Sequence, residues 1–284
     1  MNTWWRNMIE PGMVLSKTNT IKNNRIGMKG TKVELTKVTR PRLQLTYQRT
    51  ELYDLLDELS ATPLIMVNGL SGSGKTTLMS AYIESRDIPC LWYRVERADE
   101  DLARFFYYLG IAVLRMNPYN KSPLPRVSSE RVLRVPSLAK EYFQKLYQCV
   151  ETPFMMVLDN YHELSSHAVL HEVITEACAA LPPGGRIVLI NNSECGTTLP
   201  NVHSRRTTAT LDCEELRLSL GEVKGIADLY GISLASDQHA RQLQLKVDGW
   251  VSGLVNELKG AQSQSNAEQV TAVESGEQKM NPCV

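Results

Sequence analysis

No stretch of this chain carries the roughly 20 consecutive apolar residues that a bilayer-spanning helix needs, and Met1 to Glu10 contains no apolar run of the secretory kind. Neither membrane insertion nor export is expected, and the expected compartment is the cytoplasm. Net charge is absent as well: 31 basic residues balance 31 acidic ones. The six cysteines, Cys90, Cys149, Cys178, Cys195, Cys213 and Cys283, include no C-x-x-C pair, and several lie in apolar stretches, so reduced thiols are the expected state. Nothing repeats at a spacing of about 20 to 50 residues, which excludes a solenoid or a propeller.

What is present is an ordinary globular composition, 43% hydrophobic and 22% charged over 284 residues, enough to bury a sizeable core. The charge is unevenly placed. Met1 to Thr50 holds ten Lys and Arg against Glu10 and Glu34 alone. A solvated leader and an arm touching nucleic acid or anionic lipid are both open readings. The leader is preferred, because aromatics before Tyr47 are limited to Trp4 and Trp5 and no binding motif is visible. Met1 to about Lys32 is polar and aperiodic, and stable structure is not expected there.

Beyond it, hydrophobic periodicity alternates between two periods. Leu52, Leu55, Leu56 and Leu59 recur at helical spacing before Pro63. Leu64 to Val67 reads as a buried strand, Lys75 to Ser85 as a helix and Cys90 to Val95 as a second strand. Asp99 is expected to cap a helix running through Phe105, Phe106, Leu109 and Val113. After a Pro, Ser and Arg-rich loop from Pro118 to Pro136 come a helix near Leu138 to Val150 and the strand Phe154 to Leu158. A helix from about Ser166 to Leu181 and the strand Arg186 to Ile190 follow, with Thr207 to Leu211 as a candidate fifth strand. Strands separated by helices indicate an α/β fold with a doubly wound parallel sheet. From Glu214 the pattern is helical only, at Ser219 to Tyr230, Ser236 to Val247 and Val251 to Lys259.

The segment Gly69-Leu70-Ser71-Gly72-Ser73-Gly74-Lys75-Thr76 satisfies G-x-x-x-x-G-K-[ST] at every defined position. It follows a strand and opens a helix, the arrangement in which backbone N–H groups converge on an oxyanion at a positive helix end. Gly69, Gly72 and Gly74 allow the close approach that a Cβ would block. Lys75 is expected at the β- and γ-phosphates, the Thr76 hydroxyl on magnesium and Thr77 at the α-phosphate. A nucleoside triphosphate, ATP or its product ADP with Mg²⁺, is the expected ligand.

The apolar strand ending in Asp159 reads as a Walker B segment, with Asp159 holding a magnesium-bound water; capping the next helix is its alternative role. Asp159 and Glu163 are the candidate catalytic carboxylates. His162-Glu163-Leu164-Ser165-Ser166-His167 fails the zinc-protease spacing by one residue. His167 and His171 stand four apart on an expected helix, but no third metal ligand is evident.

Taken together, several elements resemble the nucleotide-binding domain of the large MalT-like, LuxR-type regulators, a branch of the signal-transducing STAND ATPases. They are Lys37, Arg40-Pro41-Arg42 and Arg49, the P-loop, Leu91-Trp92-Tyr93 with Asp99, Asp159-Asn160-Tyr161-His162, and Leu216, Leu218, Ser219 and Glu222. Gly249-Trp250-Val251-Ser252-Gly253-Leu254 completes the set, which covers about Thr36 to Gly260. The resemblance implies a switch in which ADP holds a closed monomer and ATP with an inducer opens it to self-assemble. It also implies that Arg49 helps hold the base or the phosphates. From composition and periodicity the expected layout is a basic leader over residues 1–35, a P-loop domain over 36–213, a helical subdomain over 214–260 and a disordered tail over 261–284.

Three departures accompany the resemblance. Asn160 stands where the family has a second acidic residue, and Asn191-Asn192 stands where it has Ser-Arg, so weak or absent hydrolysis is expected. No DNA-binding helix-turn-helix is visible, and no specific DNA site is expected to be bound. A fragment, a truncated copy and an independent regulator all remain open, with self-association or a regulatory protein as the expected partnership. The competing functions are a small-molecule kinase using Arg126, Arg131 and Arg134 as a lid, and a pseudo-ATPase scaffold.

Overall fold

Where the sequence offers short apolar runs bounded by turn residues, the chain forms five parallel strands. They are β1 (Leu64–Gly69), β2 (Cys90–Arg94), β3 (Phe154–Asp159), β4 (Gly185–Asn192) and β5 (Thr208–Leu211), in the order β2-β3-β4-β1-β5. The structure, a computed structural model, describes residues 35–118, 124–125, 127, 135–192, 208–234 and 236–263. Most of the basic leader, the arginines Arg126, Arg131 and Arg134, and the expected tail past residue 263 lie outside the described residues. Among those residues no helix is long and apolar enough to cross a membrane.

A parallel sheet must be covered on both faces, and the alternation of side chains along each strand supplies two apolar surfaces. One face presents Leu91, Tyr93, Met156, Leu158, Ile187 and Leu189 to α3 (Leu102–Met116), α4 (Val135–Gln148) and α5 (Leu170–Ala179). The other presents Trp92, Met155, Val157, Val188, Ile190, Ile65 and Val67 to α1 (Thr50–Glu58) and α2 (Lys75–Ser85). This is the doubly wound α/β fold expected from the pattern, and the fifth strand is present on the outer side of β1.

The chain then turns helical: α6 (Cys213–Leu216), α7 (Leu220–Leu229), α8 (Asp237–Lys246) and α9 over residues 251–263. These helices carry a hydrophobic cluster of their own, centred on Leu218, Val223, Ile226, Ala240, Leu254 and Leu258. Ser219 and Glu222 close a capping box at the start of α7, each side chain accepting a backbone N–H of the other residue.

Three expectations need correction. The helix anticipated from Ser166 begins only at Leu170, because the Ser165 N–H donates to Glu100 Oε1 at 2.8 Å and the segment ahead of it is held as a loop. The cap of α3 is Asp101, whose carboxylate accepts from the Ala103 N–H, while Asp99 is fully buried against Lys37. Cys213 is disulfide-bonded, so not every thiol is reduced. Spacing alone cannot reveal such a pair. Cys90, Cys149 and Cys178 are free, and burial pushes the Cys90 and Cys178 thiols up to about 12, leaving them unreactive.

The Lys37 ammonium donates to Asp99 at 2.7 Å, pairs with Glu96 at 3.0 Å and lies over the rings of Tyr93 and Tyr108. Tyr93 donates its hydroxyl to the same aspartate. The cluster ties the segment before α1 to the end of β2. Removing one member of a buried pair leaves the other charge uncompensated, which costs about 3 to 5 kcal/mol. Lys37→Met is accordingly expected to lose about that much stability in urea unfolding, with the denaturant slope unchanged.

Candidate functional site

The strand order puts the carboxyl ends of β1, β4 and β3 side by side, and the three segments leaving them meet around one cavity of about 310 Å³. Its walls are Ser71, Gly72, Gly74, Lys75, Thr76 and Thr77 from the P-loop, Asn160 and His162 beyond β3, and Ile190, Asn191 and Asn192 of β4. Ligands of open parallel sheets bind at this end of the strands. Gly72 and Gly74 have φ of +82° and +87°, a region that L side chains rarely enter, and this turns successive amides the same way.

Lys75 folds back over its own loop. Its ammonium donates to Gly69 O at 2.6 Å, Leu70 O at 2.8 Å and Ser73 Oγ at 3.2 Å, and burial pushes its pKa down to about 8 against a partial counter-effect from Asp159. Thr76 Oγ1 donates to Asp159 Oδ1 at 3.0 Å, and the Asn160 N–H donates to the same oxygen. Burial raises the Asp159 pKa, opposed by these two hydrogen bonds and by Arg94 and Lys75. A hydroxyl and a carboxylate oxygen this close are hard donors of the kind that hold Mg²⁺, whose remaining positions are filled by water and phosphate. Among the described residues no cluster of three or more His, Cys, Asp or Glu offers an alternative metal site.

Of the groups in and behind this cavity, Asn68 and Asp212 carried no signal in the sequence. His162 Nδ1 accepts the Asn192 N–H at 3.2 Å, and burial lowers its pKa, so at neutral pH it presents an uncharged ring. Asp212, which can only accept, draws the amide nitrogen of Asn68 at 3.0 Å; Asn68 Oδ1 in turn accepts from Asn191 Nδ2 at 3.4 Å. That ordering leaves Asn191 Oδ1 buried without a partner among the described residues. Glu163 does not line the cavity, and its carboxylate lies 3.7 Å from His162 Nε2. His171 uses both ring nitrogens, on Tyr161 and on Ser165 O, and belongs to the core.

A second cavity, about 180 Å³ and mainly apolar, adjoins the first, sharing Gly74 and Thr77 with it. One wall is Tyr53, Leu78 and Ala81; the other is Ile226 and Leu229 of α7 and Tyr230 at its C-terminal end, with Val251 and Val255 of α9. Tyr47 lies against α7 because Gly225 has no side chain: a Cβ there would stand 2.1 Å from its ring. Arg49 lines this cavity, but its guanidinium is committed to Glu222 and to the carbonyls of Leu216 and Arg217. The Gly-Trp element also reaches the P-loop, since the Ser252 N–H donates to Gly72 O at 3.1 Å and Val251 packs on Gly74.

No protein-family model matches the chain. In sequence it is similar to the HTH-type transcriptional regulator MalT of Serratia proteamaculans (strain 568), 27% identical over 237 residues that make up 82% of this chain and 26% of that protein. It is also similar to the MalT of Vibrio campbellii (strain ATCC BAA-1116), 26% identical over 77% of this chain and 24% of the relative. The chain thus spans about a quarter of the length of the curated relatives it matches. Among solved structures, the Walker-type ATPase Paby2304 of Pyrococcus abyssi aligns with a TM-score of 0.46 and 14% identity, covering 82% of this chain and 74% of that one. The similarity to MalT bears out the MalT-like resemblance read from the motifs, and strand order with P-loop geometry defines a P-loop NTPase fold.

The depressed pKa of Lys75 gives the site a pH signature. A polyphosphate beside the ammonium favours its charged form, so binding takes up a proton wherever the free site has lost one. Affinity for inorganic tripolyphosphate is expected to be flat below about pH 8 and to fall above it, by up to about tenfold per pH unit. Titration calorimetry across that range checks this, and Lys75→Met should bind weakly with no inflection.

Proposed function

We propose that this chain is the ATP- and ADP-binding switch module of a MalT-type transcriptional regulator, cytoplasmic, with Mg²⁺ as cofactor and with hydrolysis much weaker than binding. The observation that carries the reading is the pair of adjoining cavities: a polar one under the P-loop amides and an apolar one beside it, meeting at Gly74 and Thr77. A nucleotide has the same division, with charged phosphates at one end and a flat base at the other.

In this reading Gly69 to Lys75 cradle the phosphates, Thr76 and Asp159 hold the metal, and Thr77 meets the α-phosphate. Lys75 leaves its carbonyl partners for phosphate oxygens. When bound, Mg²⁺ neutralises charge shared between the phosphates. The base lies between α2 and the helices α7 and α9, so one ligand touches both parts of the chain. Its gain or loss then biases their docking, and through it self-association or contact with a regulatory protein.

Binding and hydrolysis call on different groups. The amides, Lys75, Thr76 and Asp159 act on the ground state, whereas turnover also needs the attacking water positioned and charge on the transferring phosphoryl group stabilised. Asn160 takes a left-handed conformation, φ 61°, that asparagine tolerates, and it offers an amide where a base would act. Asn192 brings no charge. Glu163 lies off the cavity. Absent arginine stabilisation lowers phosphoryl-transfer rates by about 10³ to 10⁵.

Two measurements test the proposal. Magnesium ATP or ADP at about 100 times its dissociation constant should raise the melting temperature by about 5 to 10 °C, and Lys75→Ala should remove most of that shift; equal shifts in both proteins would overturn the binding site. In single-turnover assays wild type should hydrolyse less than about one ATP per minute and Asn160→Asp faster. Robust wild-type turnover, unchanged in Asn160→Asp, would remove the claim of weak hydrolysis.

A further inference from the structure

We infer that Arg49 and Glu222 are positioning residues for the base: their ion pair sets the separation of the two walls of the apolar cavity, so recognition of the nucleoside depends on it while recognition of the phosphates does not. The inference rests on the reading of that cavity as the seat of the base.

The geometry is that of a clamp. Arg49 Nε donates to Glu222 Oε1 at 2.7 Å and Nη2 donates to Oε2 at 3.0 Å, a bidentate pair joining positions 173 residues apart in sequence. The side chains are 8% and 10% exposed, so water does little to screen them. The remaining donors anchor the same fork to Leu216 O and Arg217 O, each at 3.1 Å. A planar guanidinium can give a carboxylate two parallel hydrogen bonds and still donate to two carbonyls; an ammonium, with three donors and no fork, cannot make all four.

Each partner is fixed to one wall. Arg49 immediately precedes α1, which supplies Tyr53, and it follows the segment bearing Tyr47. Glu222 sits in the first turn of α7, where the Ser219 N–H also donates to Oε2 at 2.8 Å. Ile226, Leu229 and Tyr230 follow it by four, seven and eight residues, which places them on the same side of the helix, and all three line the cavity. Holding the Glu222 carboxylate therefore sets the height and rotation of the whole apolar wall. Neither Arg49 nor Glu222 lines the phosphate cavity or bonds to a residue that does.

The test compares two probes on the full chain: magnesium ATP, which needs both cavities, and inorganic tripolyphosphate, which needs one. Wild type should bind ATP the more tightly. Glu222→Gln retains an acceptor and a similar shape but loses the charge, and it is expected to weaken ATP binding about tenfold while tripolyphosphate affinity stays within about twofold. Arg49→Lys keeps the charge and loses the fork, and it should fall in the same direction. Because the two residues act as one unit, Arg49→Lys with Glu222→Gln should lose no more than the worse single variant. Unchanged ATP affinity in both single variants would overturn the inference. So would an equal loss for both probes, the mark of a merely structural role. A wild type that binds ATP no better than tripolyphosphate would instead refute the base cavity on which the inference rests. Tripolyphosphate binding by each variant certifies that it has folded.

Discussion

An ammonium group buried beneath peptide oxygens is the constraint from which the arrangement around it follows. Lys75 has lost most of its water, and its charge is tolerable only because Gly69 O, Leu70 O and Ser73 Oγ converge on it. Those oxygens converge because the loop turns through left-handed glycines, and the same turn directs amides outward to an anion. Asp159, raised in pKa by its own burial, is held by Thr76 and the Asn160 N–H within the influence of Lys75. A chain that keeps a cation and a carboxylate so dry, at the open end of a parallel sheet, has a site prepared for a charged ligand.

The frame of that site was readable in the sequence because its signals are local. Glycine spacing, an apolar run ending in a carboxylate and the alternation of strand and helix each occupy a few consecutive residues, and each matches the structure closely. Long-range bonding could not be read in this way. Asp99 looked like a helix cap because caps are common and its partner Lys37 is 62 residues away. Arg49 looked free to reach a ligand because nothing nearby announces Glu222. His162, Asn191 and Asn192 became neighbours only when β3 and β4 paired. The disulfide at Cys213 leaves no trace in spacing. The helix after Tyr161 began late because a glutamate from another segment holds Ser165.

The departures from the MalT-like pattern gather at the cavity itself. The P-loop, Thr76 and Asp159 are intact, whereas Asn160, beside Asp159, and Asn191 and Asn192, on β4, all line it. Asn191 adds an acceptor without a partner at the same place. Its orientation is dictated from a distance by Asp212 through Asn68, so a carboxylate beyond the adjoining strand decides which end of an amide faces inward. Polarity at this edge is specified as closely as the packing beneath it.

The start of α2 borders both cavities: Gly74, just before it, and Thr77, in its first turn, line each of them. A border shared in this way turns the site into a ruler. If a nucleotide fills both cavities, as proposed, it must carry its charge and its flat apolar surface at opposite ends, with a spacer long enough to pass the helix start and short enough to keep both ends seated. Phosphate alone satisfies one half and leaves α7 and α9 unaware of it; a bare ring satisfies the other and leaves Lys75 on its carbonyls. Only a molecule of the right length reads both halves together, so the measurement that selects the ligand is also the act that connects the sheet to the helices behind it.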